Sequence, residues 1–477
     1  MKSRLILSVA GGALLGVVGC SSPTTPSAPT APSPSLAVAG TAILTIGQIT
    51  QFTAKTSSGQ TVTAQAVWQS SNTAVATVSP AGLVTPTGVG TAAITATYSG
   101  ATGTLEITVM NGTTFPPSSP TITSCEAILT PGAYVVASDI SGVTAATCLS
   151  IQASDVQLDC RNHTVSSLGF TTVHNVTVMN CTVTNTVFVI SPLTNVTIAH
   201  NTLVGGWNSI TSQQLTLTAN HISGQGVILV NASSSVVTNN TVDNATSQTF
   251  YAFDLVGGTN NQVLQNTING GFGGTIPNVG LDDGIILGNE TSDTIQGNTI
   301  SNVFDAGIEG VDIVQNTTIA QNTITNAGFA GIGSYWCTQW TGNVISGNTV
   351  SLSPTMLYVV YAVDKDKGIC GRPVPAGGFT NNQVTGNRLV NPPALGQDVY
   401  GISIALANLN VAAVSNNLIQ GNDLGSGFTL VLSPASGFIN GGGNTCDPAS
   451  SPFCGTPDVC TGGIPDRSRR LADNECL

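Results

Sequence analysis

Charged side chains are scarce in this sequence. Only 7% of the 477 residues are Asp, Glu, Lys or Arg, and the formal net charge is −12 because 23 acidic residues outnumber 11 basic ones. A protein that binds nucleic acid through its phosphates needs a basic surface, which this composition does not supply. The sequence therefore predicts no nucleic-acid partner and a surface made mainly of Thr, Asn, Ser and Gln.

Other signals are scarce or missing as well. Aromatic residues make up 5% of the chain, and there are only 4 Met and 4 His. No Met/His cluster suited to copper and no Cys-x-x-Cys pair suited to zinc is present. After residue 30, no stretch combines helical periodicity with capping residues at both ends. What remains is Val, Ile, Leu and Thr separated by Gly and Asn, which is typical of short β-strands joined by turns.

Asparagine recurs at similar intervals through the second half of the chain. Most repeats place β-forming residues and a short polar step before the Asn, then one residue and Val, Ile or Leu, as in residues 196–203 and 294–300. The positions are Asn162, Asn180, Asn201, Asn220, Asn240, Asn266, Asn298, Asn322, Asn348, Asn387 and Asn422. A strand-rich repeat of roughly 20 residues must stack on its neighbours to bury its apolar face. We expect Asn to occupy tight left-handed turns and to bond from coil to coil.

On these repeats, residues 121–445 resemble the right-handed parallel β-helix superfamily, with pectate-lyase-like and NosD-like repeats. The resemblance implies coils stacked about 4.8 Å apart through parallel strand pairing. It says little about activity, because this superfamily includes lyases, hydrolases, epimerases, adhesins and structural proteins.

A smaller all-β domain is expected before this solenoid. Residues 36–110 alternate short strands with turns, and on the motifs at residues 68–96 the whole of this segment resembles the bacterial Ig-like group 2 domain. That resemblance implies a spacer or an adhesive module with Trp68 in its core. The predicted fold is therefore all-β, an Ig-like β-sandwich followed by a right-handed parallel β-helix. A linker at residues 111–120 separates them, and residues 446–477 form a Cys-rich C-terminal cap.

Residues 1–20 have the composition of a signal peptide. The apolar run at residues 5–18 follows a positively charged start and is too short to span a bilayer core of roughly 30 Å. Residues 17–20 resemble a bacterial lipobox, which implies cleavage before Cys20 and lipidation of that residue. Residues 21–35 contain only Pro, Ser, Thr and Ala and predict an extended tether. We expect a monomer in the bacterial cell envelope, at the outer membrane or cell surface, that contacts the membrane only through its lipid.

Export favours disulfide bonds, and 11 Cys leave an even number once Cys20 is lipidated. Cys160 and Cys181 lie about one coil apart, so they can bridge neighbouring coils. The remaining candidates are Cys125 with Cys148 at the start of the solenoid, Cys337 with Cys370 across a long insertion, and Cys446, Cys454, Cys460 and Cys476, whose connectivity stays open.

Acidic residues concentrate in the longer coils. Several of these coils contain a Gly-Ile pair, called here a Gly-Ile step, and the coils can be aligned on it. The alignment places Asp282 over Asp305. Because side chains alternate along a strand, it also directs Glu309 outward and puts Asp254 in the same outward column. The candidate catalytic residues are Asp282, Asp283, Asp305 and Glu309. Carboxyl groups one coil apart would match the roughly 5 Å separation of retaining glycosidases, and their repulsion raises one pKa. The same Asp residues also fit plain turns.

The acidic cluster has a second interpretation as a Ca²⁺ site, because Ca²⁺ prefers carboxylate oxygens. In pectate-lyase-like enzymes Ca²⁺ holds the substrate uronate while Arg or Lys abstracts a proton. This resemblance implies Lys365, Lys367 and Arg372 as candidates, although Lys365 and Lys367 also fit a solvated loop. Residues 280–284 resemble the Gly-Gln/His-Asp-Asp motif of polygalacturonases, but the Asn-Thr-Asp, Gly-His-Gly and Arg-Ile-Lys motifs of that family are missing.

Three aromatic residues follow the acidic coils. Tyr335, Trp336 and Trp340 are candidates for stacking on sugar rings, and the two Trp residues also fit packing beneath the insertion. Two functional hypotheses follow. The solenoid binds polysaccharide or a cell-surface glycan as a non-catalytic module, or it degrades polysaccharide as a glycoside hydrolase or lyase. The missing family motifs and the Ig-like spacer favour the first hypothesis, and the stacked acids favour the second.

Overall fold

The structure is a computed structural model. It describes residues 36–40, 43–45, 49–56, 59–88, 90–110, 119–142, 147–243, 249–271, 281–334, 339–361, 378–392, 400–406, 413–425, 427–433 and 435–454. The chain divides into two compact units, Met1–Thr113 and Thr114–Leu477. The described residues form strands β1 to β49 and a single 3₁₀ turn, Ala435–Gly437, which confirms the all-β class. None of the helical structure among them is long and apolar enough to cross a membrane.

The first unit packs short strands around one apolar core. Its strands are β1 (Leu36–Ala39), β2 (Ile43–Thr45), β3 (Thr50–Gln51), β4 (Thr53–Thr56), β5 (Val67–Ser70), β6 (Ala76–Val78), β7 (Leu83–Pro86), β8 (Gly90–Tyr98) and β9 (Ala101–Met110). Most pairs are antiparallel, and β2 pairs with β9 in parallel. Trp68 lies in the core with Phe52, and its Nε1 donates a hydrogen bond to the Thr63 carbonyl at 2.9 Å. The buried role of Trp68 is confirmed, and the Ig-like group 2 assignment stays a prediction.

The second unit is a parallel β-helix with three long sheets. Sheet one contains β10 (Thr121–Ile122), β12 (Gly132–Val136), β14 (Val156–Asp159), β17 (Val173–Met179), β20 (Leu193–Ala199), β23 (Ser212–Thr218), β26 (Val236–Thr238), β29 (Gln262–Leu264), β32 (Thr294–Gln296), β35 (Thr318–Ala320), β39 (Val344–Ser346), β43 (Gln383–Thr385), β47 (Asn417–Gln420) and β49 (Phe438–Gly442). Sheet two contains β15 (Thr164–Val165), β18 (Thr182–Val183), β21 (Thr202–Leu203), β24 (His221–Ile222), β27 (Thr241–Asp243), β30 (Thr267–Asn269), β33 (Thr299–Val303), β36 (Thr323–Ala327), β40 (Thr349–Ser351) and β44 (Arg388–Val390).

Sheet three carries the longest strands. It contains β19 (Val187–Val189), β22 (Trp207–Ile210), β25 (Val227–Val230), β28 (Thr249–Val256), β31 (Leu281–Thr291), β34 (Ala306–Gln315), β37 (Ala330–Ser334), β41 (Leu357–Tyr361), β45 (Tyr400–Leu406) and β48 (Thr429–Leu432), with β38 (Gln339–Thr341), β42 (Gly378–Thr380) and β46 (Ala413–Ser415) beside this path. A short sheet of β11 (Glu126–Ile128), β13 (Leu149–Ile151) and β16 (Leu168–Phe170) precedes it. Every strand pair in the solenoid is parallel within the described ranges, as expected for stacked coils.

One continuous apolar core fills the solenoid. Successive coils place Val, Ile or Leu at the same inward position, as Val176, Val196 and Leu215 do in sheet one. Each of these side chains is at most 1% exposed. Burying one such side chain stabilises the fold by about 1.5–3 kcal/mol, which explains why a chain with so few charges and aromatics can hold many coils together.

A ladder of buried asparagines runs along the turn between sheets one and two. Asn298 Oδ1 accepts hydrogen bonds from the backbone N and the Nδ2 of Asn266 at 2.9 and 3.0 Å, and Asn298 Nδ2 donates to the Val263 carbonyl at 2.8 Å. The ladder members are Asn201, Asn220, Asn240, Asn266, Asn298, Asn322, Asn348, Asn387, Asn422 and Asn444. The predicted coil-to-coil bonding of Asn is confirmed for these positions.

Asn162 and Asn180 were expected in this ladder, and that expectation is wrong. Both have positive φ, and Asn180 Nδ2 donates to Asp159 Oδ1 at 2.9 Å instead. Cys181 occupies the ladder position in that coil, and its N–H donates to Asn201 Oδ1 at 2.8 Å. In each coil of the ladder, a residue with positive φ stands immediately before the ladder Asn, as His200 does before Asn201. The ladder Asn itself therefore does not adopt the left-handed backbone conformation.

A second polar ladder follows the turn between sheets three and one. Within it, Asn343 N donates to Asn382 Oδ1 at 2.9 Å. Its members are Ser235, Asn261, Asp293, Thr317, Asn343, Asn382 and Asn417. The sequence did not indicate this ladder, because Ser, Asp and Thr interrupt the run of Asn.

Three disulfide bonds join described residues. Cys125–Cys148 and Cys160–Cys181 confirm the predicted pairs, and Cys446–Cys454 connects two of the four cysteines whose partners the sequence left open. Cys20, Cys337, Cys370, Cys460 and Cys476 lie outside the described residues.

The Gly of three Gly-Ile pairs, Gly284, Gly307 and Gly331, marks a place where sheet three passes close to sheet two. A Cβ added at Gly307 would lie 2.5 Å from Ile324 Cγ2 and 2.7 Å from the Gly331 carbonyl oxygen. Neither neighbour can withdraw easily, because Ile324 is fully buried and the other atom belongs to the backbone. Glycine is therefore required at this corner to bring the acidic strands to their position.

We expect Gly307→Ala to lower the free energy of unfolding by about 1–3 kcal/mol, the usual cost of forcing an extra carbon into a packed site. Gly288→Ala in the preceding coil is the matched control, since its added Cβ would meet nothing nearer than 3.7 Å. Urea unfolding of both variants measures the difference. Equal stabilities would contradict the close-packing explanation.

Candidate functional site

The candidate site lies on the outward face of sheet three. The strand register places Asp254 opposite Ile286, and Ile286 opposite Glu309, so these residues form one column across three coils. The flanking Ile285 and Ile308 are fully buried, which confirms that the Ile residues point inward and Glu309 points outward. The predicted placement of Asp254 in the column of Glu309 is also confirmed.

The four predicted acidic residues come together at the start of strands β31 and β34. Asp305 N donates a hydrogen bond to the Asp282 carbonyl at 2.7 Å, which confirms that these two residues occupy adjacent coils. Asp283 Oδ1 accepts the Ala306 N–H at 2.9 Å, and the Asp283 carboxyl also hydrogen-bonds to Glu309. Asp282 and Asp283 lie inside β31, so the plain-turn interpretation is wrong for these two residues.

Burial and mutual repulsion hold protons on this cluster. Asp283 is 6% exposed, and desolvation together with the charge of Glu309 raises its pKa to about 9. Desolvation also raises the pKa of Glu309 to about 7, with a further contribution from Asp305, while the hydrogen bond from Asp283 lowers it. At neutral pH, Asp283 is therefore the proton donor in this hydrogen bond and Glu309 titrates.

Asp254 adds a fifth carboxyl group to the cluster. Desolvation raises its pKa to about 6, and its charge in turn raises the pKa of Glu309. Desolvation also raises the pKa of Asp282. No Lys, Arg or His contributes to the shifts of these four groups within the part of the chain that the structure describes. Neighbouring acidic groups whose pKa values are raised, and differ from one another, are typical of sites for acid–base chemistry.

Aromatic side chains border the acids. Tyr251 lies opposite Asp283 in the adjacent strand, and desolvation and the charge of Asp254 raise the pKa of its phenol. Phe329 is 43% exposed and packs edge-on against Tyr358, with ring centroids 5.1 Å apart. None of these three residues was predicted from the sequence. Phe329 stands two residues before the Gly331-Ile332 pair used in the alignment of the coils, so that alignment held a signal for it.

Trp340 was predicted to stack on a sugar ring, and this prediction is wrong. The side chain is 1% exposed, stacks on Phe379 inside the solenoid, and has its indole against Gly310. Its burial instead fits the alternative packing role. Tyr335, Trp336, Lys365, Lys367 and Arg372 lie outside the described residues, so their predicted roles in substrate binding stay predictions.

The carboxyl cluster does not fit a Ca²⁺ site. Among the residues that the structure describes, no group of three or more His, Cys, Asp or Glu side chains is arranged to hold a metal ion. The chemistry of the cluster points the same way, because Asp283 and Glu309 use their oxygens in a hydrogen bond with each other.

A second acidic pair lies deeper in the same coils. Glu290 and Asp293 are at most 1% exposed. Glu290 Oε1 accepts the Gly258 N–H at 2.6 Å, and Asp293 Oδ1 accepts the Asn261 N–H at 2.6 Å. Desolvation, reinforced by Asp293, raises the pKa of Glu290 to about 9. Asp293 Oδ2 finds no other donor among the described residues, so the proton of Glu290 satisfies it.

This buried pair predicts a loss of stability in alkaline solution. The folded protein holds the Glu290 proton up to pH about 9, whereas the unfolded chain releases it near the ordinary value of 4.5. The folded state binds more protons throughout this window, so the free energy of unfolding falls as the pH rises through it. Glu290→Gln keeps an acceptor for Gly258 and a donor for Asp293, so we expect it to flatten this decline.

The measurement is the Tm of both proteins from pH about 5 to about 9, with the variant expected to melt higher at the alkaline end. Asp243→Asn, at an exposed position, controls for the loss of one negative charge. Parallel pH profiles for wild type and Glu290→Gln would contradict the shared proton.

Comparison with known proteins supports the fold. A family described as "Right handed beta helix region" matches residues 209–370, which agrees with the predicted handedness of the coils. Among solved structures, endo-xylogalacturonan hydrolase from Aspergillus tubingensis is 13% identical with a TM-score of 0.36, covering 66% of this chain and 91% of that chain. No curated protein is similar enough in sequence to match.

Two further structures are comparably similar. The A-module of mannuronan C-5 epimerase AlgE6 from Azotobacter vinelandii is 15% identical with a TM-score of 0.35, covering 69% of this chain and 91% of that one. DFA-IIIase from Arthrobacter chlorophenolicus A6, without its lid, is 16% identical with a TM-score of 0.34, covering 55% and 72%. At these identities and scores the three structures carry no argument about substrate or activity.

Proposed function

We propose that the protein hydrolyses the glycosidic bonds of a polysaccharide bound on the outward face of sheet three. The observation that carries this proposal is the hydrogen-bonded pair of Asp283 and Glu309, whose pKa values are raised to about 9 and about 7. A carboxyl group that titrates near neutral pH is suited to general acid catalysis, because it holds a proton and still releases it readily.

In the proposed reaction, Glu309 protonates the glycosidic oxygen as the bond from that oxygen to the anomeric carbon breaks. A water molecule adds to the anomeric carbon and gives its proton to a carboxylate. We assign this second role to Asp305, whose charge raises the pKa of Glu309 and which therefore lies near it. Asp283 positions the Glu309 carboxyl and sets its pKa through their hydrogen bond. Hydrolysis of this kind needs one acid and one base, and the cluster supplies both.

The charge of the cluster favours a neutral polymer as substrate. Although Asp283 keeps its proton at neutral pH, Asp254, Asp282 and Asp305 lie in the same adjoining coils, and the chain carries a net charge of −12. A polyuronate would be repelled by this surface, and the repulsion would be strongest at low ionic strength. A repelled polyuronate disfavours the lyase hypothesis, which concerns uronate substrates, and leaves hydrolysis of neutral chains.

The test is reducing-end release by the purified protein on neutral and uronate-containing polysaccharides, with unsaturated uronate measured in parallel. We expect release from at least one neutral polymer and no unsaturated product. Because Glu309 acts in its protonated form, we expect the rate to fall as the pH rises through about 7. Unsaturated uronate as the product, or no release from any polymer, would contradict the proposal.

Non-catalytic glycan binding is the second candidate, and the exposed Phe329 against Tyr358 favours it. An aromatic face at the surface can stack on a sugar ring whether or not the bond is then cleaved. Saturable binding of a glycan that is never cleaved would support this candidate over hydrolysis.

We also propose that the protein is exported and anchored by lipid at Cys20, which lies outside the described residues. The proposal rests on the lipobox-like residues 17–20 and the tether that follows. In a bacterial expression host, Cys20→Ala is expected to move the protein from the membrane fraction to the soluble envelope fraction and to abolish labelling by radioactive fatty acid. Labelling that persists in this variant would contradict the lipid anchor.

A further inference from the structure

The outward column that holds Glu309 extends far beyond the acidic coils. Strand pairing links Phe188, Asn208, Ile228, Asp254, Ile286, Glu309, Gly333, Tyr358, Ser403 and Val431 in one unbroken register. Neighbouring residues along each strand up to β41 are buried, so the members of this column point outward from sheet three. Successive members are about 4.8 Å apart.

The exposure of this column is not uniform. It begins at Phe188, which is 55% exposed, and stays partly exposed as far as Tyr358, except where Gly333 leaves the surface without a side chain. The next two members are covered, since Ser403 is 3% and Val431 is 5% exposed. The accessible part therefore ends two coils beyond Glu309 on one side and five coils beyond it on the other.

We infer that the polysaccharide lies along this column, parallel to the solenoid axis, in an asymmetric track from Phe188 to Tyr358. The inference rests on the proposed function, because it takes Glu309 as the point of cleavage. The track is about 24 Å long on the Phe188 side of Glu309 and about 10 Å on the Tyr358 side. An extended hexose unit is close in length to one coil spacing, so the short side accommodates about two sugar units.

Tyr358 and Phe188 are the specificity-determining residues of this track. Tyr358 lies two coils beyond Glu309 and is supported edge-on by Phe329, while Gly333 between them leaves room for a ring to approach the sheet. Phe188 lies at the far end and can contact only a chain that is long enough to reach it. The long side holds the retained part of the substrate, and short products leave from the side of Tyr358.

The experiment measures binding as a function of oligosaccharide length. Neutral cello-, manno- and xylo-oligosaccharides, from disaccharide to decasaccharide, are titrated by calorimetry into the Glu309→Gln protein and into Phe188→Ser, Tyr358→Ala and Tyr358→Phe variants made in that same background. We expect affinity to rise with length until the track is filled. Tyr358→Ala should weaken every oligomer about tenfold and Tyr358→Phe should restore binding.

Phe188→Ser should weaken only the long oligomers, also about tenfold, and leave the short ones unchanged. Ile439→Ser is the matched control, because Ile439 is 52% exposed on sheet one, away from the column. An equal effect of Phe188→Ser at all lengths, or no binding of any of these oligosaccharides, would overturn the track.

Cleavage is measured separately with the wild-type active site, by product sizes from the polymer. Predominantly short products, of about two units, are expected from the shorter side of the track. Length-dependent binding without cleavage would overturn the proposed hydrolysis and leave the track standing. Cleavage to products of random size with no dependence on length would overturn the track and leave the hydrolysis standing.

Discussion

Replacing Glu309 with Gln is expected to lower the kcat of polysaccharide hydrolysis by about 10²–10⁴-fold, the usual contribution of a general acid. Gln has the same shape, and its Oε1 can accept the hydrogen bond that Asp283 donates to the carboxylate. It has no acidic proton for the glycosidic oxygen. The variant also removes one negative charge beside Asp305 and Asp254, so we expect its Tm to equal or exceed that of wild type.

Asp312→Asn is the control for this substitution. Asp312 lies on the same strand, β34, and its Oδ2 accepts a hydrogen bond from Asn289 Nδ2 at 3.2 Å. Its loss should change kcat less than about twofold if catalysis depends on the Asp283–Glu309 pair. Equal activity of Glu309→Gln and wild type would remove Glu309 from the reaction, and a large loss in Asp312→Asn would show that any charge change on this strand disturbs the site.

Replacing Asn298 with Ala is expected to lower the free energy of unfolding by about 4 kcal/mol, since several buried hydrogen bonds are lost together. The substitution removes the side-chain donor to the Val263 carbonyl and the acceptor of the Asn266 N–H, and it leaves Asn266 Nδ2 with only the Val237 carbonyl as acceptor. All these groups lie in the closed interior of the solenoid, where water cannot replace the missing partners.

Gln383→Ala is the matched control, because it also removes a carboxamide but from an exposed position in sheet one. We expect a change within about 0.5 kcal/mol. Urea unfolding of both variants, with the slope compared to wild type, measures the difference. Similar stabilities for the two variants would mean that the ladder contributes regularity but little net stability.

The architecture could be predicted from the sequence because it repeats. Each coil presents Val, Ile or Leu at the same inward position, and repetition over many coils averages out the ambiguity of a single short strand. The positions of Asn162 and Asn180 were missed because the first turns contain different local geometry, in which Cys181 replaces the ladder Asn. A repeat of residue type alone cannot distinguish a ladder position from the left-handed position next to it.

The acidic cluster was predictable for a related reason. Gly284 and Gly307 fix the register of their coils, so Asp282, Asp305 and Glu309 could be placed relative to each other by counting along the strand. The coil of Leu357 lies between those of Gly331 and Gly401 and has Met356 in place of the Gly, so an alignment on Gly-Ile pairs does not include it. Tyr358, which lies in that coil, was therefore not recognised.

Burial could not be read from residue type. Trp340 seemed suited to the surface because it follows the acidic coils, but the glycine at 310 opens a space for its indole inside the solenoid. The proton shared by Glu290 and Asp293 was also not apparent, since a carboxyl group on the inside of a coil looks the same in sequence as one on the outside.

The pH dependence of polymer cleavage by Asp283 variants tests the central claim most directly. Asp283 lowers the pKa of Glu309 by donating a hydrogen bond to it, so Asp283→Ala should move the alkaline limb of kcat/KM, near pH 7 in wild type, to higher pH. Asp283→Asn retains a donor and should leave the limb in place. A limb that is the same in wild type, Asp283→Ala and Asp283→Asn would contradict the assignment of Glu309 as an acid controlled by Asp283.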